Sequence, residues 1–151
     1  MMEFVYAYAY FILYAFLGWV CEDLYCGIPT KKFINRGFFY GPYCPIYGVG
    51  ALLVLYPLLF VKDYPILVFV LGVIITSALE YITSWVMEIL FKTRWWDYSE
   101  RFMNINGRVC LLNSTLFGIM SIVVIYIIHP IIQDIVMDIP FTALMSFLSA
   151  F

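Results

Sequence analysis

The apolar residues of this chain fall into long runs, and these runs constrain the fold more than any motif does. They cover about residues 4–20, 45–61, 66–91 and 110–128, and polar segments separate them. A helix that crosses a membrane needs about 20 apolar residues. Only 12% of the chain is charged, whereas a soluble domain has about 25%. The pattern predicts an all-α integral membrane protein, with four to five transmembrane helices in a single domain over residues 1–151.

The basic residues predict how the chain is oriented in the cell membrane. Seven of the eight lie in two long loops, at about residues 23–42 and 92–108, and Lys62 lies in the short turn on the other side. Basic residues accumulate on the cytoplasmic side, so both loops are predicted to be cytoplasmic and the N-terminus outside. The first apolar run is expected to remain as a helix, because Met1-Met2-Glu3 lacks the basic region of a cleavable signal peptide.

The C-terminal segment, residues 129–151, is ambiguous in its relation to the membrane. Asp134, Asp138 and Pro140 interrupt it, and only residues 141–151 are cleanly apolar. That stretch is too short to span a bilayer alone. A fifth helix and an amphipathic segment followed by a partial re-entry both fit the pattern.

Two parts of the chain match each other, which predicts an internal duplication. Residues 18–25 align with residues 84–91, with the Trp, Val, Glu and Leu identical. The two hairpins, about residues 4–61 and 66–128, would then share one orientation, which makes the repeat parallel with its axis along the membrane normal. The alternative is that apolar helices ending in Trp and Glu resemble each other by composition.

Three carboxylates lie at or within the predicted helices. Glu22 and Glu88 hold matching positions at the ends of apolar runs, and Glu80 lies inside the third run. An ionised carboxylate in the bilayer costs about 2.5–3.5 kcal/mol, which makes such residues functional candidates. Glu80, Ser84 and Glu88 follow at four-residue spacing and share one helix face. This stripe is either a polar path leading inward from the cytosol or a hydrogen-bonded network that fixes helix register.

The matching carboxylates have two compatible interpretations. Glu22 and Glu88 are expected to face each other across the pseudo-twofold axis, where their repulsion suits proton or cation handling. Alternatively, each pairs with one of the loop arginines, which are Arg36, Arg94 and Arg108.

The second loop contains the most unusual hexamer of the chain, at residues 94–99. It consists of Arg94, Trp95, Trp96, Asp97, Tyr98 and Ser99. Trp and Tyr prefer the headgroup level, and an arginine can bind phosphate or carboxylate through two hydrogen bonds. The hexamer is therefore either a site for a lipid headgroup or anionic substrate, or an interfacial anchor.

Each long loop leads into the next helix through a glycine. Asn104, Gly107 and Arg108 precede the fourth helix, and Arg36 and Gly37 precede the second. The glycines fit sharp backbone turns, and the free N–H groups at a helix start attract anions. The two arginines would form an anion-attracting floor that the opposing glutamates partly neutralise.

Other chemistry finds little support in the sequence. The cysteines and the single histidine, His129, lack the spacing of a zinc or iron site, so no metal and no cofactor is expected. The chain has no glycine-rich phosphate loop followed by Lys-Ser or Lys-Thr. It has no Ser-His-Asp set, and nothing suggests nucleic-acid binding.

The order of these motifs resembles the bacterial CmpB family of ABC-transporter type IV proteins. The resemblance covers about Phe16 to Gly118. In the first half of the chain it is carried by Gly18-Trp19 with Glu22, Arg36-Gly37-Phe38, Tyr40-Gly41-Pro42 and Cys44-Pro45-Ile46-Tyr47-Gly48. In the second half it is carried by Leu79-Glu80-Tyr81, Met87-Glu88, the hexamer, and Asn104 through Cys110. Small vertebrate transmembrane proteins look similar around Trp-Asp-Tyr-Ser. The resemblance implies a permease-like membrane protein and brings no catalytic residues.

The leading hypothesis is a transporter or permease component in contact with membrane lipids. Its substrate or ion site would lie between the hairpins, gated by the glutamates with the arginines as counter-charges. The candidate binding residues are Glu22, Glu80, Glu88, Arg36, Arg94, Trp95, Trp96, Asp97, Tyr98, Asn104 and Arg108. ATP-driven transport would need a separate ATPase subunit, and so few helices point to a homo-oligomer or a partner.

Two alternatives remain open at the level of sequence. One is a membrane-embedded enzyme acting on a lipid-linked or phosphorylated headgroup at the cytoplasmic face. In that case Glu88 or Asp97 would be the base, and Arg94 or Arg108 would hold phosphate. The other is a non-catalytic membrane assembly subunit.

Overall fold

The described part of the protein, residues 2–30 and 41–149 of a computed structural model, consists of helices joined by turns. Within it, the only extended pairing is an isolated antiparallel bridge between Ile105 and Val109. The helices are α1 (Met2–Thr30), α2 (Pro45–Leu59), α3 (Pro65–Phe91), α4 (Leu111–Val123), a π-helical segment (Val124–Ile128), α5 (His129–Asp138) and α6 (Phe141–Ser149).

The prediction of an all-α membrane protein is confirmed. Among the described residues, three helical segments are long and apolar enough to cross a bilayer, namely Glu3–Leu24, Pro65–Phe91 and Leu111–Asp138. A fourth apolar helix, Pro45–Leu59, has 15 residues and is shorter than the length of about 20 that a straight crossing requires.

The first helix extends further than the apolar pattern predicted. The polar loop was predicted to begin near Asp23, but α1 continues to Thr30. The polar side chains around Glu22 mark the end of the apolar run, and they do not break a helix. After Glu22, strong helix breakers occur only at Gly27 and Pro29, where α1 is already in its last turns.

The third membrane segment changes helix type just before Pro130. The segment was predicted to end near Ile128, but the helical path continues through the π-helical segment into α5 and ends at Asp138. Pro130 has no N–H, and its ring would clash with the carbonyl of Tyr126 in a regular α-helix. A π-helical turn is a common way to accommodate such a local change.

The chain divides into two compact units, which we describe separately. Unit 1 comprises Met1–Leu53 and His129–Phe151, and unit 2 comprises Val54–Ile128. In unit 1, α1 contacts α5 and α6. His129 is buried there, with Nδ1 3.3 Å from the hydroxyl of Tyr14.

Unit 2 is a pair of closely packed helices, α3 and α4. A Cβ added to Gly72 would lie 2.6 Å from Ser121, and one added to Gly118 would lie 2.5 Å from Val73. Small residues let membrane helices approach closely. The same contact surface buries Ser114, whose hydroxyl accepts a hydrogen bond of 2.7 Å from Ser77. This close packing brings the polar side chains of the two helices together.

Candidate functional site

The loop at residues 92–110 folds back onto α3 and forms the base of the site. The helix ends at Phe91, and Lys92, whose backbone is left-handed (φ 54°), turns the chain. The N–H of Tyr98 donates to the carbonyl of Gly107 at 2.7 Å, and the N–H of Ile105 donates to the carbonyl of Val109 at 3.0 Å. These bonds join the two arms of the loop into a small hairpin.

A two-residue turn at the tip of this hairpin positions Arg108. Asn106 and Gly107 both have positive φ, at 53° and 68°, and the N–H of Arg108 donates to the carbonyl of Ile105 at 3.0 Å. This is the pattern of a type I′ turn, for which Asn-Gly is the preferred sequence. Gly107 is also required by space, because an added Cβ would lie 2.4 Å from the Asp97 Oδ1 atom.

The hexamer packs against the glycine of this turn. The Oδ1 atom of Asp97 accepts hydrogen bonds from the Ser99 hydroxyl at 2.5 Å and the Ser99 N–H at 3.0 Å, which forms an Asx turn. The Ser99 hydroxyl is the main cause that lowers the pKa of Asp97, and nearby Arg94 adds to it. Trp96 donates from Nε1 to the carbonyl of Arg108 at 3.0 Å. Trp95, in contrast, is exposed.

Two polar side chains hold the hairpin in place. Asn104 donates to the carbonyls of Ser99 and Arg101 at 3.0 and 2.9 Å, and it accepts from the N–H of Gly107 at 3.0 Å. Asn106 donates to the hydroxyl of Tyr81 on α3 at 2.8 Å. Asn104 therefore fixes the loop internally, and Asn106 attaches it to the helix.

Two arginines of the loop surround Glu88 at the end of α3. The Nη2 atom of Arg108 lies 2.5 Å from Glu88 Oε2, and the Nη2 atom of Arg94 lies 3.6 Å from the same oxygen. Arg108 is buried and also donates to the hydroxyl of Ser84 at 3.1 Å. Arg94 lies 3.4 Å from Asp97. This arrangement is the pairing that one interpretation of the sequence proposed for Glu88.

Glu80 has a different environment, about two turns away from Glu88 along the same face of α3. Its Oε1 atom accepts from the hydroxyl of Tyr98 at 3.2 Å, and that hydroxyl accepts from Nδ2 of Asn113 at 2.7 Å. Its Oε2 atom is buried and has no hydrogen-bond partner among the described residues. Burial raises the pKa of Tyr98, and the charge of Glu80 raises it further. The Tyr98 hydroxyl therefore stays protonated and remains a donor.

The candidate residues of the predicted first repeat, Glu22 and Arg36, belong to the N-terminal part of the chain. In unit 1, Glu22 accepts a hydrogen bond from the hydroxyl of Tyr47, and Gly18 lies directly against the Tyr47 side chain. Arg36 lies outside the described residues. Glu22 and Glu88 belong to different units, and their expected approach stays a prediction.

Several members of the site carry little signal in the sequence. Asn113, Tyr81 and Asn106 were not among the candidates, although Asn113 and Tyr98 form one hydrogen-bonded chain with Glu80. Asn106 had a usable signal, because Asn-Gly is the strongest short-range indication of a hairpin. The sequence signal for Asn113 was weaker, because it is only a polar amide at the start of an apolar run.

These helices and contacts define a multi-pass membrane protein with a polar interface between two of its helices. The model of the CmpB family, described as "Putative ABC-transporter type IV", matches residues 9–151. The chain therefore belongs to this family. Comparison with curated proteins and with solved structures gives no match.

Proposed function

We propose that this ABC-transporter-related membrane protein is a permease subunit whose substrate path includes Glu80. The path would be open towards the cytoplasm through the loop at residues 92–110 and would carry a proton or a small cation. The observation that carries the proposal is the environment of Glu80. One of its oxygens accepts from a neutral hydroxyl, and the other is buried without a partner among the described residues.

The distribution of charge in unit 2 supports this assignment. Arg94 and Arg108 lie beside Glu88, and Arg94 also lies beside Asp97. No ion pair of Glu80 occurs among the described residues of this unit. An ionised carboxylate in an apolar helix is costly, and protonation or a bound cation would remove this cost. Glu80 is thus the acid in unit 2 that is suited to exchange a proton or bind a passing cation.

The other candidate residues have supporting roles in this proposal. Arg108 and Arg94 neutralise Glu88 and hold the loop against α3, while Asn104 and the hexamer keep the loop folded. Glu22, which accepts a hydrogen bond from Tyr47, is the corresponding candidate acid of unit 1. The proposed orientation, with both long loops in the cytoplasm, follows from the basic residues.

The energy source would reside in another polypeptide. The sequence contains no phosphate-binding loop, and the family relation to ABC transporters favours a separate ATPase subunit as partner. A second copy of the chain would supply the further helices that a complete pathway needs.

The geometry gives less support to an enzyme that acts on headgroups. Its candidate base Asp97 has a lowered pKa because of Ser99, which weakens it as a proton acceptor near neutral pH. Glu88, the other candidate base, and Arg108, a candidate phosphate ligand, lie 2.5 Å from each other.

The proposal is tested with protein purified from its own membrane together with the subunits that accompany it. Native mass spectrometry identifies an ATPase subunit, and the complex is reconstituted into vesicles that contain a pH-sensitive or cation-sensitive dye. We expect ATP-dependent flux that falls at least tenfold in Glu80→Gln, because the neutral amide can neither release a proton nor bind a cation.

The matched control is Glu100→Gln, which removes an exposed carboxylate from the loop and should leave the flux unchanged. Complex formation is measured for each variant, so that loss of assembly is not mistaken for loss of transport. The absence of any ATPase subunit, or undiminished flux in Glu80→Gln, would contradict the proposal.

A further inference from the structure

A groove beside the first turn of α4 lies apart from the Glu80 site. Its volume is about 380 Å³, within the range of sites for small molecules. Arg101 and Phe102 of the loop form one side, and Leu111, Leu112 and Thr115 of α4 form the other. The groove thus combines one cationic side chain with apolar walls.

The position of the groove coincides with the boundary of a membrane segment. Leu111 is the first residue of the spanning segment Leu111–Asp138, so the leucines lie at the edge of the hydrocarbon region and Arg101 belongs to the loop outside it. Leu111 and Leu112 are both exposed. An occupant would therefore have its charged end near the headgroups and its apolar part along α4.

The charge of Arg101 is available to such an occupant. Its side chain is exposed and forms no ion pair or hydrogen bond with any described residue, in contrast to Arg94 and Arg108. Glu100, the preceding residue in the sequence, is also exposed. An exposed arginine at the membrane surface attracts anionic lipid headgroups.

The turn next to the groove also presents apolar side chains outward. Phe102 and Met103 are 78% and 64% exposed, and Met103 has a left-handed backbone (φ 48°), which is costly for a residue with a side chain. Large apolar side chains beside a basic residue are typical of segments that lie in the membrane interface.

We infer that this groove is a binding site for one anionic phospholipid. The guanidinium of Arg101 would bind the lipid phosphate through two hydrogen bonds, and an acyl chain would lie along Leu111 and Leu112. Phe102 would cover the glycerol region. The inference does not depend on the transport activity proposed for Glu80.

The test measures lipid binding by native mass spectrometry of the full-length protein in detergent. Dioleoyl phosphatidylglycerol and dioleoyl phosphatidylcholine, which have the same acyl chains, are titrated in parallel. One basic residue near the membrane surface contributes about fivefold to the binding of an anionic lipid. We therefore expect wild type to bind the first phosphatidylglycerol about fivefold more tightly than phosphatidylcholine, and Arg101→Gln to lose this preference.

Two further variants decide whether the groove itself is responsible. Lys92→Gln removes another exposed basic residue of the same loop and should retain the preference. Leu112→Trp fills the groove and should weaken the binding of both lipids. Equal binding of the two lipids by wild type, a preference that survives Arg101→Gln, or an equal loss in Lys92→Gln would each overturn the inference.

Discussion

Two glutamates at matching positions of the chain have different partners in the two units. In unit 2, Glu88 lies beside the guanidinium groups of Arg108 and Arg94. In unit 1, Glu22 accepts a hydrogen bond from the neutral hydroxyl of Tyr47 on α2. Arginines compensate the charge of a carboxylate, whereas a tyrosine provides a hydrogen bond and leaves the charge in place. Likeness in sequence therefore does not imply likeness in electrostatics.

Each of the two units contains helices that pack closely against each other. Gly48 and Gly118 each lie against an aromatic residue of the preceding helix, Phe11 and Phe69 respectively. Packing between membrane helices depends on small residues at the contact. The duplication that the sequence predicts would thus conserve packing, while the loops determine which charges reach each glutamate.

The largest effect is expected from Gly107→Ala, because this change disturbs the loop that delivers both arginines to Glu88. An alanine at φ 68° costs about 1–2 kcal/mol. Its Cβ would also lie 2.4 Å from Asp97 Oδ1 and Ser99 Oγ, and such overpacking costs about 1–3 kcal/mol. We expect a loss of about 3 kcal/mol in the free energy of unfolding, measured by denaturant titration in detergent, and faster proteolysis of the loop.

Met103→Gly is the matched control, because it introduces glycine at a position of positive φ, whereas Gly107→Ala removes glycine from one. Met103 has a positive φ and an exposed side chain, so glycine relieves backbone strain without removing a buried contact. The free energy of unfolding should stay the same or rise by up to about 1 kcal/mol. If Gly107→Ala were as stable as wild type, the hairpin would not control the position of the arginines.

The sequence predicts the helices better than the contacts between them, because a helix is signalled by neighbouring residues and a contact joins residues that are distant in the sequence. Apolar runs determine where α2 and α3 lie to within about two residues. The end of α1 was missed, because polarity marks the end of the apolar run while helix breakers such as Gly27 and Pro29 come later. The four-residue spacing of Glu80, Ser84 and Glu88 placed them on one face.

The spacing of Glu80, Ser84 and Glu88 does not show which residues contact them. Glu88 meets Arg108 only because a type I′ turn reverses the loop, and the geometry of that turn depends on tertiary contacts between Gly107 and the hexamer. Asn113 comes from a different helix and reaches Tyr98 through the packing of α3 on α4. Contacts between segments distant in sequence require the fold itself.

The next largest effect is the coupling of each glutamate to its partner, which double-mutant cycles measure. Tyr47→Phe with Glu22→Gln should give a coupling of about 1.5 kcal/mol, as expected for a hydrogen bond to a charged group, and it should change little with salt. Arg108→Gln with Glu88→Gln should give a coupling that falls as sodium chloride is raised, because Glu88 is partly exposed and screening weakens such pairs.

The comparison between the units depends on this difference in salt response. Each cycle also needs its two single variants, and Glu22→Gln and Glu88→Gln conserve side-chain size. Equal salt dependence of the two couplings would mean that Glu22 also has a charged partner, and the contrast between the two units would then disappear.

The smallest effect is the pH dependence that Asp97 contributes. Its pKa is lowered in the folded protein, mainly by the Ser99 hydroxyl, so the unfolded chain takes up its proton first as the pH falls. The stabilisation is therefore present above the unfolded pKa of about 3.9 and is lost as the pH drops through the lower folded value. Thermal unfolding of wild type and Asp97→Asn should differ at pH 6 and converge towards pH 3.

Glu100→Gln controls for the loss of one negative charge from the same loop. Asparagine at position 97 can still accept from Ser99, so the variant isolates the charge of the carboxylate from its hydrogen bonding. A difference between wild type and Asp97→Asn that stays constant from pH 6 to pH 3 would show that the charge of Asp97 does not stabilise the loop. The loop would then be held by the type I′ turn, by its other hydrogen bonds and by the pairing of Glu88 with its arginines. Neither a type I′ turn nor an arginine pair of Glu22 occurs among the described residues of unit 1.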